Sequence, residues 1–218
     1  MANIGVIGSG SWATAMIKML TDNQQSKHVN WWVRKQEDID YIEQYHHNPS
    51  YLSAVEVKLD HISLYHDPKE VIKNSDIIIL NTPAAYLEDA LKDLQPSDFK
   101  NKLLVSAIKG IVPSIKLIVG EFLNTKFEVP FEDIVVVGGP CHAEEVSLEK
   151  LSYLTFASKN TANAAIVAQY FQTHYIKTVV SNDILGVEYG AVLKNIYALA
   201  CGICHGLGYG DNFQAGLI

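Results

Sequence analysis

The sequence predicts an α/β protein: a Rossmann-like doubly wound sheet, mostly parallel, followed by the start of an all-helical segment. Three observations predict it. Apolar runs of strand length alternate with helix-length stretches over residues 1–183, the first such unit carries a glycine-rich turn, and from Ile184 onward the alternation gives way to one long apolar stretch.

The first unit carries the most information. Ile4, Val6 and Ile7 make a strand, and Gly8-x-Gly10-x-x-Ala13 follows at once and leads into the helical pattern Trp12, Ala15, Met16, Met19, Leu20. Gly8 permits a tight turn, Gly10 lets the backbone approach a pyrophosphate, and Ala13, in place of a third glycine, still lets the helix pack near the strand. The helix N-terminus then presents amide donors and a positive dipole end to phosphates.

After the polar turn at 23–26, residues 29–33 form a second strand that ends at Arg34 and Lys35. In a dinucleotide-binding sheet this position meets the adenosine ribose, where an acid binds the 2'-hydroxyl and a basic residue accommodates a 2'-phosphate. With no acid before Glu37, NADP(H) is favoured and NAD(H) remains possible; the alternative is two solvated charges opening a helix. Residues 37–45 read as that helix, and His46-His47-Asn48-Pro49 ends it as a polar loop, no third ligand standing at a metal spacing. No metal is expected. Residues 62–65 form a short strand, and Asp67, Pro68 and Glu70 supply an N-cap, a first-turn proline and a capping-box acid for a helix to Asn74.

Ile77 to Leu80 is an uninterrupted apolar run, as in a strand buried on both faces. Residues 84–94 read as a helix, 103–108 and 134–137 as strands, 162–172 as a helix between strands at 154–157 and 178–180. Ligands of such sheets bind at the carboxyl ends of the strands. Two features sit there. Lys109 is the only charged residue between Lys102 and Lys116, and Gly138-Gly139-Pro140-Cys141-His142-Ala143 is a second glycine turn whose amides could serve an anion. Lys109 could instead cap the sheet edge, and the two glycines could form a plain tight turn.

From Ile184 to Leu207 the chain is apolar on every side, which describes a buried helix. Lys194 is the only charged residue between Glu188 and Asp211; burial would lower its pKa towards a useful range, and the alternative is a lysine snorkelling at the helix edge. Cys201-Gly-Ile-Cys204-His205 formally fits haem attachment, and its cysteines a redox pair, but both cysteines read as small hydrophobes packed in the helix.

Composition bounds the rest. A 48% hydrophobic fraction with 19% charged residues suits a globular protein of 218 residues, enough for one domain and part of another. A net charge of -7 argues against nucleic acid. No uninterrupted apolar run reaches the ~18 residues of a membrane span and no signal peptide opens the chain, so a cytoplasmic location is expected.

With these residues in hand, the chain resembles the NAD(P)-dependent glycerol-3-phosphate dehydrogenase family. The resemblance rests on Gly8-Ser-Gly10-Ser11-Trp12-Ala13-Thr14-Ala15, Ser106-Ala-Ile-Lys109-Gly110, Gly139-Pro-Cys141-His-Ala143-Glu144-Glu145 and Gly186-Val-Glu188-Tyr-Gly190-Ala-Val-Leu-Lys194-Asn195, in family order. It implies a dinucleotide-binding domain over 1–183 and the beginning of a helical substrate-binding domain over 184–218, cut short relative to the family. It implies cofactor binding by Gly8, Gly10, Ser11, Trp12, Arg34, Lys35, Lys109 and Ala143. It implies substrate binding by Lys109, Gly139, Cys141, Lys194 and Asn195, with Lys194 as the catalytic proton donor and acceptor. Cys141 stands where the family usually carries Ser or Thr. The implied reaction is reversible hydride transfer between NAD(P)H and dihydroxyacetone phosphate, giving sn-glycerol 3-phosphate for glycerophospholipid synthesis. The other readings are a non-catalytic NAD(P)H-binding module and a related reductase of another small keto substrate. An apolar face left bare after Ile184 would drive association, so a homodimer is one expected state.

Overall fold

The computed structural model describes residues 1–216. The first half of the chain forms β1 (Asn3–Ile7), α1 (Ser11–Asn23), β2 (His28–Trp32), α2 (Gln36–Tyr45), β3 (Ile62–Tyr65), α3 (Pro68–Lys73) and β4 (Ile77–Leu80). Next come α4 (Leu87–Ala90), β5 (Leu103–Ser106), the hairpin of β6 (Ile111–Val112) and β7 (Leu117–Ile118), α5 (Val119–Phe127) and β8 (Ile134–Gly138). The last part adds α6 (Ala143–Ser147), β9 (Ser152–Ala157), α7 (Thr161–Gln169), β10 (Ile176–Ser181), α8 (Ile184–Gly206) and α9 (Asp211–Ala215).

Eight strands form one sheet in the order β10-β9-β8-β5-β4-β1-β2-β3. Every neighbouring pair is parallel except β8 and β9, where Val136 to Gly138 pair antiparallel with Ala157 to Thr155. β10 runs parallel to β9, so these two strands oppose the other six. Alternation along each strand feeds two cores. Ile4, Val6, Ile77 and Ile79 join the layer of α1, α2, α6 and α7, while Ile7, Ile78 and Leu80 join the layer of α3, α4 and α5. Asp67 caps α3 by accepting the Lys69 N–H at 2.8 Å. Glu70 does not close a capping box; it lies 3.8 Å from Lys73.

Three elements differ from the sequence-based expectation. The helix expected over 84–94 is a 3-10 turn at Ala84–Tyr86, a single α-turn at Leu87–Ala90 and then tighter turns, because Pro96 holds Gln95 extended and the chain must leave the helix before it. Nothing in the sequence pattern marks α5 or the hairpin before it. Gly120 interrupts the apolar pattern there, yet it packs so closely on Glu188 that a Cβ would lie 3.2 Å from Oε2.

The third concerns α8, expected to be buried. Only Ile184 and Glu188 are buried, while Leu193, Ile196, Leu199 and Ile203 are exposed and Cys201 and Cys204 are half-buried. The first two turns pack on the sheet, where a Cβ on Gly138 would sit 2.6 Å from Val187 Cγ1, and the rest of the helix leaves the body of the domain. By length and composition α8 could cross a membrane, with a mean hydropathy of 1.2 over its apolar window. Glu188 and Lys194 interrupt that run.

Candidate functional site

A cleft of about 900 Å³ opens at the carboxyl ends of the parallel strands, where sheets of this class bind ligands. Its floor is the turn between β1 and α1. Gly8 has φ 137°, and a Cβ there would lie 2.5 Å from the Asn81 carbonyl oxygen, so the turn can close against β4 only with glycine. A Cβ on Gly10, by contrast, would meet nothing within 4 Å. The backbone there is open to a ligand. Gly10 is the N-cap of α1 without any side-chain cap, which leaves amide donors free for an anion.

Arg34 and Lys35 line the cleft beyond β2, both exposed and neither in an ion pair among the described residues. At the other side stand Lys109, Cys141 and Ala143. The Lys109 ammonium lies 5.4 Å from the centre of the Trp12 ring. The residue as a whole is exposed, yet crowding by the cleft walls lowers the pKa of its ammonium. The charge on Lys194 lowers it further and Cys141 acts the other way. Cys141 is 4% exposed, and its burial pushes the thiol pKa up against a side-chain hydrogen bond to Ser152 and the Lys109 charge, so the sulfur is a neutral thiol at neutral pH. Thr82, which lines the cleft, and Ser106, one strand over, carry buried hydroxyls without a hydrogen-bond partner among the described residues.

Among the expected site residues, Gly8, Gly10, Ser11, Trp12, Arg34, Lys35, Lys109, Cys141 and Ala143 therefore converge on one cleft. Gly139, Lys194 and Asn195 do not line it. Gly139 has φ 114°, and a Cβ there would lie 2.6 Å from the Tyr153 carbonyl oxygen, so close approach of β9 accounts for the glycine without a ligand. Lys194 and Asn195 are exposed on α8, against the expected burial, because only the start of that helix meets the sheet. Lys194 still lies near enough for its charge to act on Lys109. Among the described residues no group of three His, Cys, Asp or Glu could hold a metal ion.

Ser50, Tyr51 and Trp32, outside the expected set, also line the cleft. The signal for the first two was Asn48, an Asx-turn former in what reads only as a polar loop.

Comparison with known proteins gives the same picture. The sequence profile described as NAD-dependent glycerol-3-phosphate dehydrogenase N-terminus matches residues 3–164, and the C-terminus profile of the same family matches residues 183–218. Glycerol-3-phosphate dehydrogenases [NAD(P)+] of Bacillus velezensis and Bacillus subtilis are each 38% identical over the whole chain, which spans 63% of their length. A solved structure of Plasmodium falciparum glycerol-3-phosphate dehydrogenase superimposes with a TM-score of 0.87 at 27% identity, over 98% of this chain and 62% of that one. The Coxiella burnetii enzyme shares the fold, with a TM-score of 0.85 at 24% identity, over 99% of this chain and 65% of that one. By its turn, its cleft and these matches along both parts of its length, the chain belongs to the NAD-dependent glycerol-3-phosphate dehydrogenase family.

Proposed function

We propose that the chain binds NADP(H), and NAD(H) more weakly, in the cleft of residues 1–183, and that residues 184–218 begin a helical substrate-binding domain. Its reaction is the reversible reduction of dihydroxyacetone phosphate to sn-glycerol 3-phosphate, which feeds glycerophospholipid synthesis. The observation that carries this reading is the convergence of the open glycine turn, the unpaired Arg34 and Lys35, and Lys109 on one cleft.

The donor set fits a dinucleotide. The free amides at the start of α1 suit a pyrophosphate, and Arg34 with Lys35 suits a 2'-phosphate through charge-assisted bonds. When bound, the nicotinamide supplies the hydride. Ser11, Trp12 and Ala143 hold the cofactor beside the turn. Lys109 and Lys194, whose like charges interact, face a phosphorylated substrate that neutralises both. Cys141 orients that substrate as a neutral thiol, and Asn195 holds it from the side of α8. Lys194 gives its proton to the carbonyl oxygen as negative charge develops there, and recovers it in the oxidising direction.

Titration of the 218-residue chain with NADPH, followed through the fluorescence of Trp12 and Trp32 on the cleft, tests the cofactor assignment. Saturable binding is expected, with little NADPH oxidation on adding dihydroxyacetone phosphate, because Lys194 and Asn195 stand exposed to water on α8. Absence of saturable binding would refute the assignment. Equal oxidation with an unphosphorylated ketone would instead favour a reductase of another small keto substrate.

A further inference from the structure

Three successive carbonyls of the glycine turn are held by side chains. Trp31 Nε1 donates to the Gly8 carbonyl at 2.7 Å, and Asn48 Nδ2 donates to the Ser9 carbonyl at 3.0 Å. The Gly10 carbonyl accepts the Thr14 N–H at 2.9 Å and the Thr14 hydroxyl at 3.1 Å. No peptide bond among the described residues is cis, so the C=O and N–H of each unit point in opposite directions. Holding the carbonyls of residues 8, 9 and 10 therefore aims the N–H groups of Ser9, Gly10 and Ser11 away from the brace. These three residues line the cleft, and their amides have no partner among the described residues.

Trp31 and Thr14 belong to the β1-α1-β2 unit itself. Asn48 does not: it comes from the loop after α2 and is 3% exposed. Its amide group is fully used, Nδ2 donating to the Ser9 carbonyl and to Thr14 Oγ1 at 2.9 Å, Oδ1 accepting the Ser50 and Tyr51 N–H groups at 3.0 and 3.1 Å. The opposite orientation would set oxygen against a carbonyl and NH2 against two N–H groups. One side chain thus fixes the floor of the cleft and the segment that supplies Ser50 and Tyr51 to its wall.

Building on the nucleotide-binding reading of the cleft, we propose that Asn48 is a positioning residue that aims the Ser9, Gly10 and Ser11 amides at the pyrophosphate of a dinucleotide. It touches neither the cofactor nor the substrate; it acts through the turn.

The test is Asn48→Asp, which keeps an oxygen for the Ser50 and Tyr51 amides but sets a second oxygen against the Ser9 carbonyl. The expected result is NADH binding weaker by roughly tenfold to a hundredfold, the range for a buried hydrogen bond turned into a mismatch. In the cofactor-free protein the NMR order parameters of Gly10 and Ser11 are expected to fall below the ~0.85 of rigid backbone, while those of β1 stay unchanged. A lower melting temperature with unchanged NADH affinity and unchanged order parameters would reduce Asn48 to a structural role and overturn the proposal. If Asn48→Asp does not fold, Thr14→Val removes the hydroxyl from the same network and is read in the same way. Failure of the parent chain to bind either NADPH or NADH would count against the nucleotide-binding reading alone, and the order parameters would still decide whether Asn48 holds the turn.

Discussion

Glu188 sets a pH dependence of stability that a single substitution isolates. It is 2% exposed on α8 and accepts the Gly120 N–H at 3.0 Å at the start of α5. Burial pushes its pKa up to about 7 from 4.5, against the pull of the Gly120 and Val119 amides and with a small push from Glu121. That rise corresponds to about 3 kcal/mol. Below pH 4.5 the carboxyl is protonated in both states and nothing is lost. Between 4.5 and about 7 the unfolded chain ionises while the folded one keeps its proton, so stability falls as pH rises, and the full penalty is present above 7. Glu188→Gln removes the titration. Its single oxygen can accept only one of the two amides, at a cost of about 1 kcal/mol. The variant should therefore be less stable than the parent by about 1 kcal/mol at pH 4, equal near pH ~5 and more stable by about 2 kcal/mol at pH 8. Urea unfolding followed by tryptophan fluorescence measures this. His28, whose pKa burial lowers, acts with the opposite sign, so the difference between parent and variant is the quantity to read. Parallel stability curves for parent and Glu188→Gln from pH 4 to 8 would refute the reasoning.

Two further outcomes are expected. Arg34→Ala should weaken NADPH about tenfold to a hundredfold, the ~1.5 to 3 kcal/mol of a charged hydrogen bond, and spare NADH; equal losses in a binding titration would show that Arg34 does not read the 2' position. Lys194→Ala should raise the pKa of Lys109 and leave NADPH affinity nearly unchanged; an unmoved Lys109 side-chain resonance in an NMR pH titration would separate the two lysines.

The sheet was legible where local chemistry and topology coincide. Gly8, Gly10 and the apolar run Ile77–Leu80 announce a tight turn and a strand covered on both faces, and both are present. The reversal at β8 and β9 was not legible, because Leu154 and Phe156 face a core whichever way the strand runs. Composition said that α8 is apolar but not whether anything meets it, and Lys194 followed α8 into the open. Gly139 illustrates the other limit: a glycine demanded by a neighbouring carbonyl reads in sequence like one demanded by a phosphate. The local partners of Asn48, Ser50 and Tyr51, announce only a turn; its hold on the glycine turn is not legible, because Ser9 and Thr14 lie 39 and 34 residues away.

The first strand of the chain lies inside the sheet, hydrogen-bonded to β2 on one side and β4 on the other, with the Ala2 N–H tied to the Tyr170 hydroxyl at 3.1 Å and Met1 exposed. The cleft opens at the far end of that strand, after Ile7. A tether at Met1 thus leaves from the pole opposite the opening, so protein immobilised on a sensor by that residue keeps its cleft towards the flowing solution. Force applied along the same tether loads two parallel ladders lengthwise, and their hydrogen bonds must shear together instead of unzipping one at a time.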